Sequence, residues 1–119
     1  MEQAYRFRPE ERLHSSGEFQ RVKASGRRSR ARHFGINFAP NQVQRHRLGL
    51  VVQKRFWCAV RRNRIKRVLR EWFRLYKHQI PLPGKDIVIV ARPGAEKLSL
   101  LDAAKELVAV FAEQDGRTR

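Results

Sequence analysis

One segment of the sequence, residues 61–77, concentrates side chains that bind anions: eight of its seventeen residues are Arg or Lys. With about 100° of rotation per residue in an α-helix, part of this set forms one stripe opposite the apolar residues of the segment. The stripe contains Asn63, Lys66, Arg67, Arg70, Arg74 and Lys77. A guanidinium group binds phosphate through two parallel hydrogen bonds, and the neutral Asn63 can bond a base edge or a ribose 2′-hydroxyl. The pattern predicts a helix that binds nucleic acid.

An ordinary solvated helix face is the alternative explanation for this stripe. Such faces usually mix both signs, because opposite charges three or four residues apart attract. Here Glu71 is the only carboxylate between residues 21 and 77, which carry eighteen basic residues. Many neighbouring cations therefore repel, and a polyanionic partner explains them better than solubility does. The scarcity of carboxylates also argues against catalytic residues for RNA cleavage in the protein, since a general base or metal-binding carboxylates are needed.

Composition narrows the class of protein further. The 119 residues carry a net charge of +16, and Arg outnumbers Lys 20 to 7. A single cysteine, Cys58, excludes an internal disulfide, and no apolar run approaches the roughly 18 residues of a membrane-spanning helix. The N-terminus lacks the apolar region of a signal peptide, so we expect a cytoplasmic protein. We expect no metal site, because the histidines show no ligand spacing with one another or with Cys58. These histidines are His14, His33, His46 and His78.

The elements that must position the stripe follow from hydrophobic periodicity and from helix caps. A capping box formed by Ser15 and Glu18 predicts a short helix that ends at Gly26. A long helix is predicted over residues 59–78, and Ser99 is predicted to cap a final helix, with Asp102 three residues later. The predicted strands cover residues 33–38, residues 47–52 and residues 86–91, the second antiparallel to the first and the third buried on both faces.

The remaining segments are predicted to lie outside these elements. Residues 1–12 are interpreted as an extended arm, residues 27–32 as a basic connector, and residues 115–119 as a frayed tail. The order helix, strands, helix, strand, helix predicts an α+β fold. We expect one domain over residues 1–119, built as a two-layer sandwich with a mixed sheet of three to four strands and three helices.

The first predicted strand offers two different faces. Phe34, Ile36 and Phe38 alternate on one side. They suit a stacking platform for single-stranded RNA, but we assign them to the core, because the helices must pack on something. His33, Gly35 and Asn37 then face the other way. Two polar side chains, and a glycine that lets an RNA backbone approach closely, favour RNA contact on that face.

The motif at the start of the long helix gives a more specific indication. Residues 62–67 read Arg-Asn-Arg-Ile-Lys-Arg, and Val68, Leu69, Arg70 and Glu71 follow. With this motif the sequence resembles the bacterial ribonuclease P protein family. Similar blocks flank it in the same order, so that the resemblance covers roughly residues 12 to 113. They are Phe19-Gln20-Arg21-Val22 with Gly26, Leu48-Gly49-Leu50-Val51-Val52 with Lys54-Arg55, Ala59-Val60, and residues 86–92.

The resemblance implies a small subunit, in a 1:1 ribonucleoprotein, that helps a catalytic RNA remove the 5′ leader of precursor tRNA. It implies that the RNA carries the active site and its Mg²⁺ ions, and that the protein has no catalytic residues and binds no metal alone. It also implies a left-handed crossover around the motif helix, against the general right-handed rule. The expected RNA-binding residues are Arg62, Asn63, Arg64, Lys66, Arg67, Arg70, Arg74, Lys54 and Arg55. The 5′ leader is expected in a cleft between the first helix and the sheet, lined by Phe19, Lys23, His33, Gly35 and Asn37.

Several residues depart from the family pattern. Lys23 and Asn37 stand where aromatic residues are frequent, and we expect a phosphate contact and a hydrogen bond to replace stacking there. Trp57 and Cys58 replace small or polar residues; Trp57 could pack at the strand–helix junction or stack on RNA. The alternative function is a structural ribosomal protein that binds rRNA, which shares the size and charge. A DNA-binding regulator is disfavoured, because no helix-turn-helix spacing is evident.

Overall fold

A computed structural model describes the backbone of residues 9–13 and 15–117, with side chains described to residue 111. Three helices and four strands make up the fold. In chain order they are α1 (Ser16–Ser25), β1 (Arg27–Arg30), β2 (Phe34–Pro40), β3 (Arg47–Val51), α2 (Ala59–Tyr76), β4 (Lys85–Ala91) and α3 (Leu100–Arg117). Short 3₁₀ turns lie at Pro9–Glu11, Lys77–Gln79 and Ala95–Lys97. The predicted α+β class, with three helices and one mixed sheet, is confirmed.

The sheet has the order β1-β2-β4-β3. β4 pairs antiparallel with β2 and parallel with β3, so α2 is the crossover between two parallel neighbours. β3 therefore runs antiparallel to β2, as predicted, but β4 lies between them and the two strands do not pair. The left-handed sense of the crossover stays a prediction from the resemblance.

The two faces of the sheet are covered unequally. On one face, Phe34, Ile36 and Phe38 are buried together with the apolar residues of α2 and α3. These three residues therefore belong to the core, as assigned. The opposite face holds a smaller cluster in which Val22 of α1 packs with Val88 of β4. α1 thus covers part of this second face.

The predicted capping box at the start of α1 is present. The Glu18 N–H donates to Ser15 Oγ at 3.1 Å, and the Ser15 N–H donates to Glu18 Oε1 at 3.2 Å. The helix ends at Gly26, as predicted, where the chain passes close to β2. A Cβ on Gly26 would lie 2.4 Å from the Val22 carbonyl oxygen and 2.6 Å from that of Phe38, so only glycine fits.

A buried carboxylate fastens α1 to the sheet. Asp86 is fully buried, and Arg47 donates to both of its oxygens at 2.7 Å. Arg21 of α1 and Asn41 also donate to it. Burial works against ionisation of Asp86, but these hydrogen bonds and the two guanidinium charges outweigh it and hold its pKa below the usual value.

Three segments differ from the sequence predictions. The basic connector is in part an edge strand, because Arg27–Arg30 pairs with β2 in spite of its lack of β-branched residues. Within the predicted arm, residues 1–12, Glu11 is buried and Arg12 bridges to Leu48 of β3, while residues 1–8 lie outside the described residues. The frayed tail was predicted too long, since α3 continues to Arg117. Residues 118 and 119 lie outside the described residues.

Candidate nucleic-acid interface

The helix α2 carries its basic stripe because its opposite side is held in the core. Ile65, Leu69, Trp72 and Phe73 are all at most 2% exposed. Burial of four large side chains, each contributing about 1.5–3 kcal/mol, fixes which side faces solvent. The predicted helical periodicity is therefore confirmed, and the stripe lies on the outer side.

Part of the stripe is free to bind a ligand. Asn63, Arg67 and Arg70 are exposed, and Lys66 is half-buried. Among residues 9–13 and 15–111, whose side chains the structure describes, none of these four side chains has a hydrogen bond or an ion pair. Four uncompensated polar side chains on one outer face, three of them cationic, form a surface suited to a polyanion.

The first turn of α2 adds to this positive surface. It contains no acidic residue, and the N-cap residue Cys58 makes no side-chain cap. The helix dipole therefore leaves partial positive charge beside Arg61 and Arg62, which is unfavourable unless an anion is present. Arg62 is half-buried, and its buried Nε has no hydrogen-bond partner within the described part of the chain. The Cys58 thiol is exposed, and the Arg61 N–H lowers its pKa.

Two of the predicted RNA-binding arginines also make contacts within the protein. Arg64 Nη1 donates to the carbonyl oxygens of Glu96 at 3.0 Å and Leu98 at 3.2 Å, which ties α2 to the segment before α3. Arg74 donates to both carboxylate oxygens of Glu71, at 2.9 Å and 2.8 Å. These bonds lower the pKa of Glu71, so it stays charged and offsets part of the stripe.

The assignment of Lys77 to the stripe is wrong. Its Nζ lies 2.6 Å from Glu11 Oε2, and both side chains are 8% exposed. The α-helix ends at Tyr76, and the following 3₁₀ turn carries Lys77 inward. The sequence angle of 100° per residue no longer applies beyond that point.

The loop before α2 places Lys54 and Arg55 at the surface. Both side chains are exposed, and Arg55 Nε donates to Gln53 Oε1 at 3.0 Å. Trp57, by contrast, is only 7% exposed and donates its indole N–H to Glu96 Oε1 at 2.8 Å. Of the two roles considered for Trp57, packing at the strand–helix junction is the one observed. The Trp57 hydrogen bond lowers the pKa of Glu96.

The predicted cleft between α1 and the sheet would lie on the second face of the sheet, beside α1. The ring of Phe19 packs over Gly49, where a Cβ would lie 2.6 Å from Phe19 Cζ. Asn37 and Gly35 face the same side, because they pair directly with Val88 and Val90 of the α1 cluster. Lys23 is exposed one turn beyond Phe19 on α1. Phe19, Lys23, Gly35 and Asn37 thus share this side of the molecule, as predicted.

His33 does not belong to this cleft. Its backbone N–H donates to Glu106 Oε1 at 2.9 Å, and its ring Nδ1 lies 2.6 Å from Glu106 Oε2. Glu106 belongs to α3, which packs on the other face of the sheet. The strict alternation predicted from residue 33 begins only at Phe34, the first residue of β2. The placement of His33 in the cleft is therefore wrong.

Comparison with known proteins identifies this arrangement. The Ribonuclease P family model matches residues 7–115. The chain belongs to the bacterial ribonuclease P protein family. A ribonuclease P protein component from Syntrophobacter fumaroxidans is 67% identical over 114 residues, which cover 96% of each chain. One from Chromobacterium violaceum is 44% identical and covers 92% of this chain and 90% of its own.

Solved ribonuclease P proteins share the fold. A Staphylococcus aureus RNase P protein mutant superposes with a TM-score of 0.79 at 32% identity and covers 89% of each chain. The RNase P protein from Thermotoga maritima gives a TM-score of 0.76 at 31% identity, covering 85% of this chain and 94% of its own. The predicted function as a ribonuclease P subunit in tRNA processing is confirmed, and no relative supports the ribosomal alternative.

Three arginines that the sequence analysis missed lie on the same side of the sheet as Gly35 and Asn37. The Arg92 guanidinium lies over Gly35, with Nη2 3.7 Å from the position of a Cβ there. Arg28 and Arg30 pair with Asn37 and Gly35 and so face the same side of the sheet. The sequence signal for Arg28 and Arg30 was their alternation with Ser29. Because this segment has no apolar residues, the alternation did not indicate a strand.

The described residues offer neither a metal site nor a membrane-spanning helix. Among the described residues, no group of three or more His, Cys, Asp or Glu side chains could hold a metal ion. Asp86, the fully buried carboxylate, already accepts hydrogen bonds from Arg21, Asn41 and Arg47. No helix in the described part of the chain is long and apolar enough to cross a membrane.

Proposed function

We propose that this protein binds the catalytic RNA of ribonuclease P through the outer side of α2. The supporting observation is that Lys66, Arg67 and Arg70 are uncompensated cations on the side of the helix opposite its buried residues. Phosphates can bind Arg67 and Arg70 without breaking any bond of the fold. The unpaired Nε of Arg62 and the exposed amide of Asn63 extend the contact along the first two turns.

The groove beside α1 is proposed to hold the 5′ leader of precursor tRNA. Phe19 offers a ring for stacking, and Gly35 lies beneath the Arg92 guanidinium. Asn37 supplies a neutral hydrogen-bonding group in place of an aromatic one. Lys23, together with Arg28, Arg30 and Arg92, supplies phosphate contacts around it. A single RNA strand that passes along this groove would stack a base on Phe19 while the basic side chains contact its phosphates.

Catalysis is proposed to belong to the RNA subunit. Mg²⁺, which would activate water and stabilise the leaving oxygen, is held there mainly by RNA phosphates. Among the described residues the protein has no carboxylate cluster for the metal, and its surface carboxylate near the stripe, Glu71, is bound by Arg74. The protein's own contribution is to hold both RNAs and screen the repulsion between their phosphates, as a 1:1 complex in the cytoplasm.

Reconstitution tests this proposal. Purified protein, a bacterial ribonuclease P RNA and a precursor tRNA are combined at low Mg²⁺, and release of the 5′ leader is measured. We expect cleavage with both subunits, and little cleavage with either alone. Tight binding of the RNA without any enhancement of cleavage would contradict the proposal.

A further inference from the structure

One aromatic side chain lies outside the core, in the loop between β3 and α2. Phe56 is 41% exposed, and it is the only aromatic residue among the exposed large hydrophobic side chains of the described region. Its neighbour Trp57 already fills the strand–helix junction. The exposed ring is therefore not needed to close the core, and its burial elsewhere would stabilise a complex.

The Phe56 ring is held in a fixed position. It packs edge-on against Trp57, with ring centroids 5.5 Å apart and an interplanar angle of 65°. Trp57 is in turn fixed by burial and by its hydrogen bond to Glu96, which also accepts from the Gly94 N–H at 2.9 Å. The Phe56 N–H donates to the Gln53 carbonyl oxygen at 3.3 Å and closes the turn. A ring held in this way loses little entropy when a ligand stacks on it.

A cation lies over this ring, and others are close to it in the sequence. The Arg55 guanidinium lies over it, 4.7 Å from the ring centroid, and is itself oriented by Gln53. Lys54 and Arg61 are exposed on either side in the sequence. The combination of a planar apolar ring, a planar guanidinium and flanking positive charge matches an unpaired nucleobase and its phosphates. An acidic peptide would use the charges but not the ring, and a lipid surface would need a larger apolar area.

We propose that Phe56 and Arg55 form a stacking site for an unpaired nucleobase of the catalytic RNA. The proposal rests on the proposed function and adds a base contact to it. The catalytic RNA is favoured over the leader because the loop leads directly into the first turn of α2. The site therefore adjoins the first turn of that helix, whereas Phe19 and Lys23 lie with α1 on the second face of the sheet.

The test measures affinity for a bacterial ribonuclease P RNA as a function of salt. Phe56→Leu keeps an apolar side chain but removes the ring, and we expect affinity to fall about 5- to 100-fold. The slope of log affinity against log salt should stay unchanged, because no phosphate contact is lost. Phe56→Trp should retain the affinity. Leu101→Ala, which alters another exposed apolar residue at 61% exposure, serves as the matched control and should bind like the wild type.

The outcomes separate this site from the rest of the function. Wild-type affinity in Phe56→Leu would overturn the stacking site, while weakened binding by Arg67→Ala in the same assay would leave the α2 interface standing. If the wild-type protein fails to bind the RNA, the proposed function itself fails. A loss confined to the affinity of the assembled holoenzyme for leader-bearing precursor tRNA would contradict the catalytic RNA as the source of the base. Thermal unfolding of each variant checks that the fold is intact.

Discussion

The ring of Phe19 occupies the space that a side chain at Gly49 would fill. A Cβ on Gly49 would lie 2.6 Å from Phe19 Cζ and 2.8 Å from Cε2. The missing side chain on β3 therefore sets how deeply the α1 ring sits against the sheet.

Gly49→Ala should consequently displace the Phe19 ring. We expect the unfolding free energy to fall by about 1–3 kcal/mol, as for an overpacked contact, measured in urea. Leader-dependent processing should fall with it. In the Phe19→Ala background the same Gly49→Ala change should cost much less, because the clashing ring is gone. Equal costs in both backgrounds would show that the two residues do not interact.

Phe19→Ala should weaken binding of leader-bearing precursor tRNA to the holoenzyme by about 1–2 kcal/mol, the value of one stacked base. Binding of mature tRNA should change less, since it lacks the leader. Phe19→Tyr keeps the ring and should behave like the wild type. Equal losses for both tRNAs in Phe19→Ala would remove this residue from the leader groove.

Arg67→Ala and Arg70→Ala should each lower affinity for the catalytic RNA and flatten its salt dependence. The slope of log affinity against log salt should drop by about 0.7 to 0.9 for each lost phosphate contact. Lys105→Ala removes an exposed positive charge from α3 and serves as the control. An unchanged slope in both arginine variants would contradict the α2 interface.

Lys77→Met should destabilise the fold by about 3 kcal/mol, because it leaves Glu11 buried without its cation. Urea denaturation measures the loss, and the double variant Glu11→Leu with Lys77→Met should recover part of it. The salt slope of RNA binding should not change in Lys77→Met, since this lysine faces inward. A reduced slope would return Lys77 to the interface.

His46 should make stability depend on pH. It is buried, its Nε2–H donates to the Ile80 carbonyl oxygen at 2.9 Å, and its Nδ1 accepts from the Lys85 N–H at 3.0 Å. Burial, with the charges of Lys85 and His78, lowers its pKa, although the Ile80 bond opposes this. The unfolded chain therefore takes up the proton first as pH falls.

As the pH falls below about 6.5, the pKa of histidine in the unfolded chain, the unfolding free energy should decline. It should level off once the pH is below the lowered pKa of His46 in the folded protein. His46→Gln removes this titration, so the difference between wild type and variant isolates the residue from His33 and His78. Parallel stability curves for the two proteins across that range would contradict the expectation.

Local signals in the sequence were sufficient for much of this fold. The capping box of α1, the apolar periodicity of α2 and the β-branched run of β4 each depend on neighbours within one element. The edge strand β1 was missed because its pairing is supplied by β2, and its own residues are polar. The inward turn of Lys77 and the capture of His33 by Glu106 depend on residues more than sixty positions away. The hydrophobic periodicity of one segment cannot predict contacts between residues so far apart in the sequence.

The candidate interface could likewise be predicted from the sequence only in part. Which residues of α2 face outward follows from the spacing of Ile65, Leu69 and Trp72. Whether an outward cation is free does not follow from that spacing, because the carbonyl partners of Arg64 belong to Glu96 and Leu98, more than thirty residues away. Arg92 lies over Gly35 only because β2 and β4 are neighbours in the sheet.

The position of β4 has a consequence for synthesis of the chain on the ribosome. β4 lies between β2 and β3, both of which are made before it. The ribosome must therefore translate beyond Ala91 before the sheet can close. Until then Arg21 and Arg47 lack Asp86, and the whole basic stretch emerges with Glu71 as its only carboxylate. The nascent protein thus already carries the full net charge of +16, and is open to indiscriminate capture by nearby polyanions, before its last strand completes the fold.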